Sequence, residues 1–355
     1  MRIFHIADIH IDLIATRLGK FKIVDGQNAI YLERLNRFKN LTALAVTQEV
    51  DMIVIAGDLF NRPKPFPQEL WDVASILDNI PPHIRVIVIP GNHDEFTQRG
   101  CALQPLQNRR SNVDIVLTPR WINIKGVDFV IAPWGTDLDT LKKFRNLSFR
   151  EKGVEPILDG PVMIGHLGTT LEGQHWTEIA GEIGTVALDD LKGLNFRGIL
   201  LGHYHGQVDL GQNIWYPGSP ECYNFGEAGQ TKGFLRWDIA DNDLRVQPHH
   251  LNDKPYFRTF TVEEFLDFQD PGFPGYVRIQ GEANEQQKAL VLSRLENFQC
   301  EDYKLDLQST TKMTKVFTLK GKSNIEILTN WLESKNIPVK QALLELDQDI
   351  EGEVL

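Results

Sequence analysis

Seven side chains able to ligate a metal stand at the ends of short apolar runs: Asp8, His10, Asp58, Asn92, His166, His203 and His205. A carboxylate buried at the end of such a run is unfavourable unless a positive charge sits beside it. No Lys or Arg lies within three residues of Asp58, so a metal ion is the natural partner. Seven donors exceed the needs of one tetrahedral centre and suit two octahedral ions sharing Asp58. Mixed carboxylate, amide and imidazole donors favour Mn²⁺, with Fe²⁺ as the alternative, over Mg²⁺. Two such ions about 3.5–4 Å apart clamp a phosphoryl group and acidify a water between them for attack on phosphorus. His93 diverges from its neighbour Asn92 and is expected to face the substrate, stabilising charge or protonating the leaving oxygen. Asp94 is expected to hold His93 in one tautomer.

Each piece alone is weak. Gly-Asp is commonly a turn, and a lone His at a strand end is commonly just hydrogen-bonded. The weight lies in five pieces in order, each closing an apolar run. His5, His83, His175, His249 and His250 fall outside them and read as surface or structural histidines. Asp12 reads as a solvated turn residue.

The elements that must carry these groups alternate along the chain. Residues 2–8 read as a strand, 28–49 as a helix and 52–57 as a second strand, which is a βαβ unit with parallel strands. Strand alternation would place Asp8 and His10 on one face, and His203 and His205 on another. A helix over 68–79 and a strand over 84–89 extend the sheet. Short strands follow over 113–117, 121–125 and 127–132, then a helix over 138–147. Apolar runs at 161–164, 198–201 and 234–239 complete an α/β fold of sheets flanked by helices. Loops at the carboxyl ends of such strands gather functional groups. Past residues 248–255 the pattern changes. Strands over 276–281 and 314–320 around a helix over 285–297 suggest a small α+β unit. The division expected is 1–250, 255–322 and a helical segment 323–355 with helices over 323–335 and 338–347.

The 355-residue chain is 42% hydrophobic and 24% charged, with a net charge of −11. That balance argues against a protein coating nucleic acid by bulk electrostatics, because neutralising phosphates needs Lys and Arg. Arg109, Arg110, Lys312, Lys315, Lys320 and Lys322 are the basic residues that could meet DNA, as phosphate contacts that position without reading sequence. Cys101, Cys222 and Cys300 are scattered and match no zinc spacing, as expected of thiols in a reducing compartment. No apolar run approaches the ~20 residues of a membrane span. No secretory segment opens the chain, so the expected location is the cytoplasm.

DxH (8–10), GDLF (57–60), GNHDE (91–95), GH (165–166) and GHYH (202–205) resemble the calcineurin-like metallophosphoesterases over roughly residues 1–240. WYPGSPECYNFGE (215–227) and the unit beyond it resemble the SbcD-type nucleases in that group. The resemblance implies a metallophosphoesterase β-sandwich flanked by helices and a small DNA-facing cap. It implies a di-Mn²⁺ site: Asp8, His10, Asp58 and His205 on one ion, Asp58, Asn92, His166 and His203 on the other, with His93 catalytic. It also implies DNA as partner (double-stranded ends, hairpins, single strands) and an SbcC-type SMC-like ATPase, which the 323–347 helices could dock. A homodimer is left open. Many relatives carry His three residues after the shared Asp, where this chain has Asn61. They often carry Gly soon after DxH, where it has Ile11-Asp12.

The function expected is therefore Mn²⁺-dependent DNA phosphodiesterase, exo- and endonuclease, in break repair or recombination. Two rivals stand beside it. One is a small-molecule phosphatase or cyclic-nucleotide phosphodiesterase of the same superfamily. The other is a metal-stabilised scaffold for the ATPase, for which His93 would have no use.

Overall fold

Apolar runs bounded by Gly or Asp become strands covered on both sides, which is why they show no polar alternation. Met52–Ala56 is buried at every position. A computed structural model describes residues 1–96, 100–150, 160–170, 184–241, 243–251 and 255–309.

Two six-stranded sheets form the body. The first runs Asp243–His250, Gly233–Ala240, Arg2–Ile6, Met52–Ala56, Arg85–Ile89, Val113–Ile115. Its last four strands are parallel, and Gly233–Ala240 is antiparallel to both its neighbours. The second runs Val208–Asp209, Ile214–Tyr216, Gly198–Gly202, Val162–His166, Val127–Ala132, Arg120–Ile124, parallel except at the edges. Ile3, Val54 and Ile87 of the first sheet pack on Phe129, Ile164 and Leu200 of the second. On the outer face of the first, Phe4, Ile55 and Val86 meet Tyr31 and Phe38 of helix Ala29–Thr47 and Val73 and Leu77 of helix Pro67–Asp78. Val130, Met163 and Leu201 of the second sheet meet Leu141 and Leu191 of helices Leu138–Arg150 and Leu188–Gly193. The result is a helix–sheet–sheet–helix sandwich, with the parallel strands of both sheets ending at one rim.

A separate core, built from Phe260, Phe265, Val277, Ile279, Val291 and Phe298, supports a parallel sheet of Phe257–Thr261, Tyr276–Ala283 and Asp302–Ser309. It meets the sandwich through Phe225, whose ring lies 5.1 Å from Phe257 and beneath Arg278 at 5.0 Å. Among the described residues no helix is long and apolar enough to cross a membrane.

The first strand is shorter than 2–8, stopping at Ile6. Strands Asp243–His250, Phe257–Thr261 and Asp302–Ser309 escaped the sequence reading. Asp243–His250 is an edge strand, largely exposed and carrying Pro248, so it lacks an apolar run. The strand expected over 314–320, the helices over 323–335 and 338–347, and Lys312, Lys315, Lys320 and Lys322 lie outside the described residues. Arg109 pairs with Asp78 at 2.7 Å and Arg110 bonds the Asp78 carbonyl, so both are engaged within the chain.

Candidate metal centre

The donors sit on loops where the parallel strands end, and their backbone is unusual. Asp8, His10, Asp58 and His203 all have positive φ, at 56°, 50°, 51° and 116°. Each such residue stores about 1–3 kcal/mol of strain and persists only where its surroundings over-determine it. Here two loops are laced together: the N–H groups of Asp8, His10 and Ile11 donate to the carbonyls of Gly57, Asp58 and Leu59 at 3.1, 3.0 and 2.9 Å. The sequence expectation that strand alternation aims Asp8 and His10 is therefore corrected. The strand has already ended, and left-handed turns do the aiming. Glycine is required at 91, where a Cβ would overlap the Asp58 carboxylate.

All seven expected donors converge. His10 Nε2 lies 3.1 Å from His205 Nε2 and 3.6 Å from Asp58 Oδ2. The same Asp58 oxygen lies 3.6 Å from His166 Nε2. Asn92 Oδ1 lies 3.2 Å from His166 Nε2 and 3.1 Å from His203 Nδ1. Asp8 groups with His10 and His205 on one side, and with Asp58 and His166 on the other, within 4.8 Å. His203 and His205, two residues apart, thus turn toward opposite ends of the cluster. His93 is exposed above it, its ring centroid 4.7 Å from that of His10.

Electrostatics agree with a cation-binding role. Burial pushes the Asp8 carboxyl well above its usual range, and the Asp58 charge adds to the shift. Burial, then His205 and His93, hold His10 well below its usual value. Burial lowers His166 to about 4. Neutral imidazoles are ready to ligate a divalent cation, and a cation beside Asp8 and Asp58 would relieve the crowding that raises the Asp8 carboxyl. His205 Nδ1 faces the carboxylate of Glu227 at 2.9 Å; a carboxylate only accepts, so Nδ1 carries a proton and Nε2 is the nitrogen turned to the cluster. Two carboxylates, an amide oxygen and four imidazoles around one centre fit a pair of divalent ions with mixed oxygen and nitrogen shells.

The calcineurin-like phosphoesterase family pattern matches residues 1–207, which takes in every one of these donors. The chain belongs to the calcineurin-like phosphoesterases. Such enzymes hydrolyse phosphoesters at a dinuclear metal site, and the α/β fold read from sequence is the one observed. The SbcD subunit of the SbcCD nuclease of Staphylococcus epidermidis is 28% identical over 266 residues, covering 69% of this chain and 67% of that protein. The SbcD-type resemblance read from the motifs thus holds. Among solved structures, the TT1561 protein of Thermus thermophilus is 14% identical with TM-score 0.41, covering 70% of this chain and 98% of that one. A dimetal phosphatase from Danio rerio is 13% identical with TM-score 0.43, covering 69% and 95%.

This phosphoesterase places Asp94 otherwise than expected. Its carboxylate does not hold the His93 ring. It accepts from the backbone N–H groups of Gly91, Leu59 and Phe60 at 3.0, 3.2 and 2.9 Å, while His93 Nδ1 faces the Asn61 carbonyl at 3.1 Å. Burial and then the Asp58 charge push Asp94 up to about 8 against those three donors. Asp12 is also corrected: it is buried, with Arg62 at 2.7 Å and Asn61 Nδ2 at 2.8 Å. Sequence reasoning missed Glu227 and Lys232, a buried pair at 2.6 Å behind His205. It also missed Tyr223, whose hydroxyl donates to the carbonyls of Asp8 and Ile9. Trp134 was missed too, its ring 5.1 Å from His203. Glu227 and Tyr223 lie in the 215–227 stretch that carried the resemblance, but no spacing rule marks them.

Proposed function

We propose that this phosphoesterase is a Mn²⁺-dependent DNA phosphodiesterase, an exo- and endonuclease processing ends or hairpins in repair or recombination in the cytoplasm. The observation that carries the reading is the seven-donor cluster with His93 exposed at its mouth. The nuclease subunit among its relatives supports DNA as substrate. The parallel sheet of residues 257–309 is proposed as the DNA-facing cap, and an SMC-like ATPase as the partner.

In this reading Asp8, His10, Asp58 and His205 hold one ion, and Asp58, Asn92, His166 and His203 the other. Once bound, the ions supply Lewis acidity toward the phosphoryl oxygens and an activated water. Asp58 would serve both ions, since its Oδ2 lies 3.6 Å from both His10 Nε2 and His166 Nε2. Its Oδ1 is held by the His93 N–H at 2.9 Å, which ties the catalytic loop to the bridge. His93 faces the substrate; with Nδ1–H donated to a carbonyl, its doubly protonated form would give the Nε2 proton to the leaving oxygen and remain as the neutral ring.

The test offers the Mn²⁺-loaded chain hairpin DNA, single-stranded DNA, duplex ends and an aryl phosphate ester. DNA cleavage that vanishes in His93→Ala with metal content unchanged is the expected result. Turnover of the aryl ester alone would replace the nuclease with a phosphatase, and no turnover at all would leave a scaffold.

A further inference from the structure

Asn61 stands three residues after Asp58. Its side-chain Nδ2 donates to Asp12 Oδ2 at 2.8 Å, and its Oδ1 lies 3.1 Å from His10 Nδ1. Its backbone carbonyl lies 3.1 Å from His93 Nδ1. We infer that Asn61 is a positioning residue that sets the tautomer of His10 through its side chain and of His93 through its main chain, presenting Nε2 of both rings to the reaction centre. The inference rests on His10 being a metal ligand.

An amide can be turned end for end without changing shape, so its neighbours must decide the orientation. Here Asp12 decides. A carboxylate only accepts, so Nδ2 must face it and Oδ1 must face His10. Asp12 cannot swing away. Its other oxygen accepts from Arg62 Nη1 at 2.7 Å and from the Ile14 N–H at 3.1 Å. Arg62 is anchored in turn on buried Glu69 at 2.5 Å, and Glu69 also accepts from the Leu13 and Phe66 N–H groups. Oδ1 of Asn61 carries no proton, so His10 Nδ1 must carry one and Nε2 is a lone pair. That Nε2 is the atom 3.1 Å from His205 Nε2 and 3.6 Å from Asp58 Oδ2. A histidine at position 61 would not enforce this, because each ring nitrogen can be donor or acceptor. The Asn61 carbonyl likewise only accepts, so His93 Nδ1 is protonated and Nε2 does the exchange. One residue thus coordinates a metal ligand and the exposed imidazole, and the chain Glu69–Arg62–Asp12–Asn61 keeps it in register.

Two readouts test this without relying on turnover. Mn²⁺ affinity is measured by titration calorimetry on the full chain. The protonated nitrogen of His10 is identified by ¹⁵N NMR of metal-free protein with labelled histidine. Wild type should show His10 protonated at Nδ1. Asn61→Ala should bind Mn²⁺ about 10- to 100-fold more weakly and shift His10 toward the other tautomer, with its thermal unfolding still cooperative. If Asn61→Ala does not fold, Asp12→Asn carries the test: facing an amide, the Asn61 side chain is free to turn, and binding weakens. Combining Asp12→Asn with Asn61→Asp exchanges donor and acceptor between the two positions and should restore both affinity and tautomer. Unchanged affinity and tautomer in the single variants, or no recovery in the double, overturn the inference. Unchanged affinity in His10→Ala overturns the ligand assignment itself, and this inference with it.

Discussion

Glu227 clamps His205 from behind: its Oε1 lies 2.9 Å from Nδ1 of the ring, and its other oxygen lies 2.6 Å from buried Lys232 Nζ. Removing the carboxylate leaves both the ring unoriented and an ammonium under-compensated. Glu227→Ala should destabilise the fold by about 3–5 kcal/mol and weaken Mn²⁺ binding about 10- to 100-fold, read by urea unfolding and titration calorimetry. Burial alone would raise the Glu227 pKa, but His205 and Lys232 hold it at about 2, against 4.5 for a free Glu. A depressed folded-state value means the stabilisation is complete above about 4.5 and lost as pH falls toward 2. The stability gap between wild type and variant should therefore stay constant from pH 8 to 5 and shrink below that. A gap that is flat down to pH 3 would refute the pairing.

Gly91 leaves no room for a side chain against Asp58. A methyl group there overlaps both the carboxylate and the backbone nitrogen of Asp58, neither of which is a flexible tip. Gly91→Ala should displace Asp58 and, if Asp58 is the proposed shared ligand, weaken metal binding by at least about 10-fold. Metal content after dialysis checks this, and a variant that retains as much metal as the wild type would contradict it.

Asp94 accepts from three backbone N–H groups on the loops that carry Asp58 and His93. Asp94→Asn turns an acceptor into a donor facing donors, which should cost about 1–3 kcal/mol. Activity should fall together with stability, because His93 is misplaced when its turn loosens. Loss of turnover with unfolding unchanged would instead return Asp94 to a direct part in the chemistry.

Metal removal should matter more as pH rises. Burial and the Asp58 charge raise Asp8 well above 3.8 and Asp94 to about 8. An unfolded chain loses those protons near 3.8 while the metal-free fold retains them, so between the two values stability falls with increasing pH. A bound divalent cation removes that penalty. The drop in Tm on chelation should be larger at pH 8 than at pH 6, and an equal drop at both would show that these carboxylates do not share the cation's field.

The residues of the site were legible because each piece closes a run of apolar side chains, and such runs are strands whichever way the chain then folds. His166 after 162–165 and His203 after 198–202 are examples. What surrounds the site was not legible. Asp94 sits next to His93 in sequence, yet two of the three amides its carboxylate accepts from lie more than thirty residues earlier, and its neighbour's ring faces the Asn61 carbonyl. Asp12 looked like a solvated turn residue because the Arg62 that neutralises it lies fifty positions away.

The amino-acid sequence by itself determined the α/β class and the family, and it put forward seven candidate donors that the fold brings together. These follow from local facts: side-chain chemistry, apolar runs and the breakers that end them. Only the tertiary structure decided which oxygen of Asp58 faces both His10 and His166 and which ring nitrogens of His10 and His205 face each other. It alone brought Glu227, Lys232, Tyr223 and Asn61 behind the ligands. The physical reason is that hydrogen-bond direction and left-handed backbone at Asp8, His10, Asp58 and His203 are imposed by contacts between distant loops, and no local pattern records them.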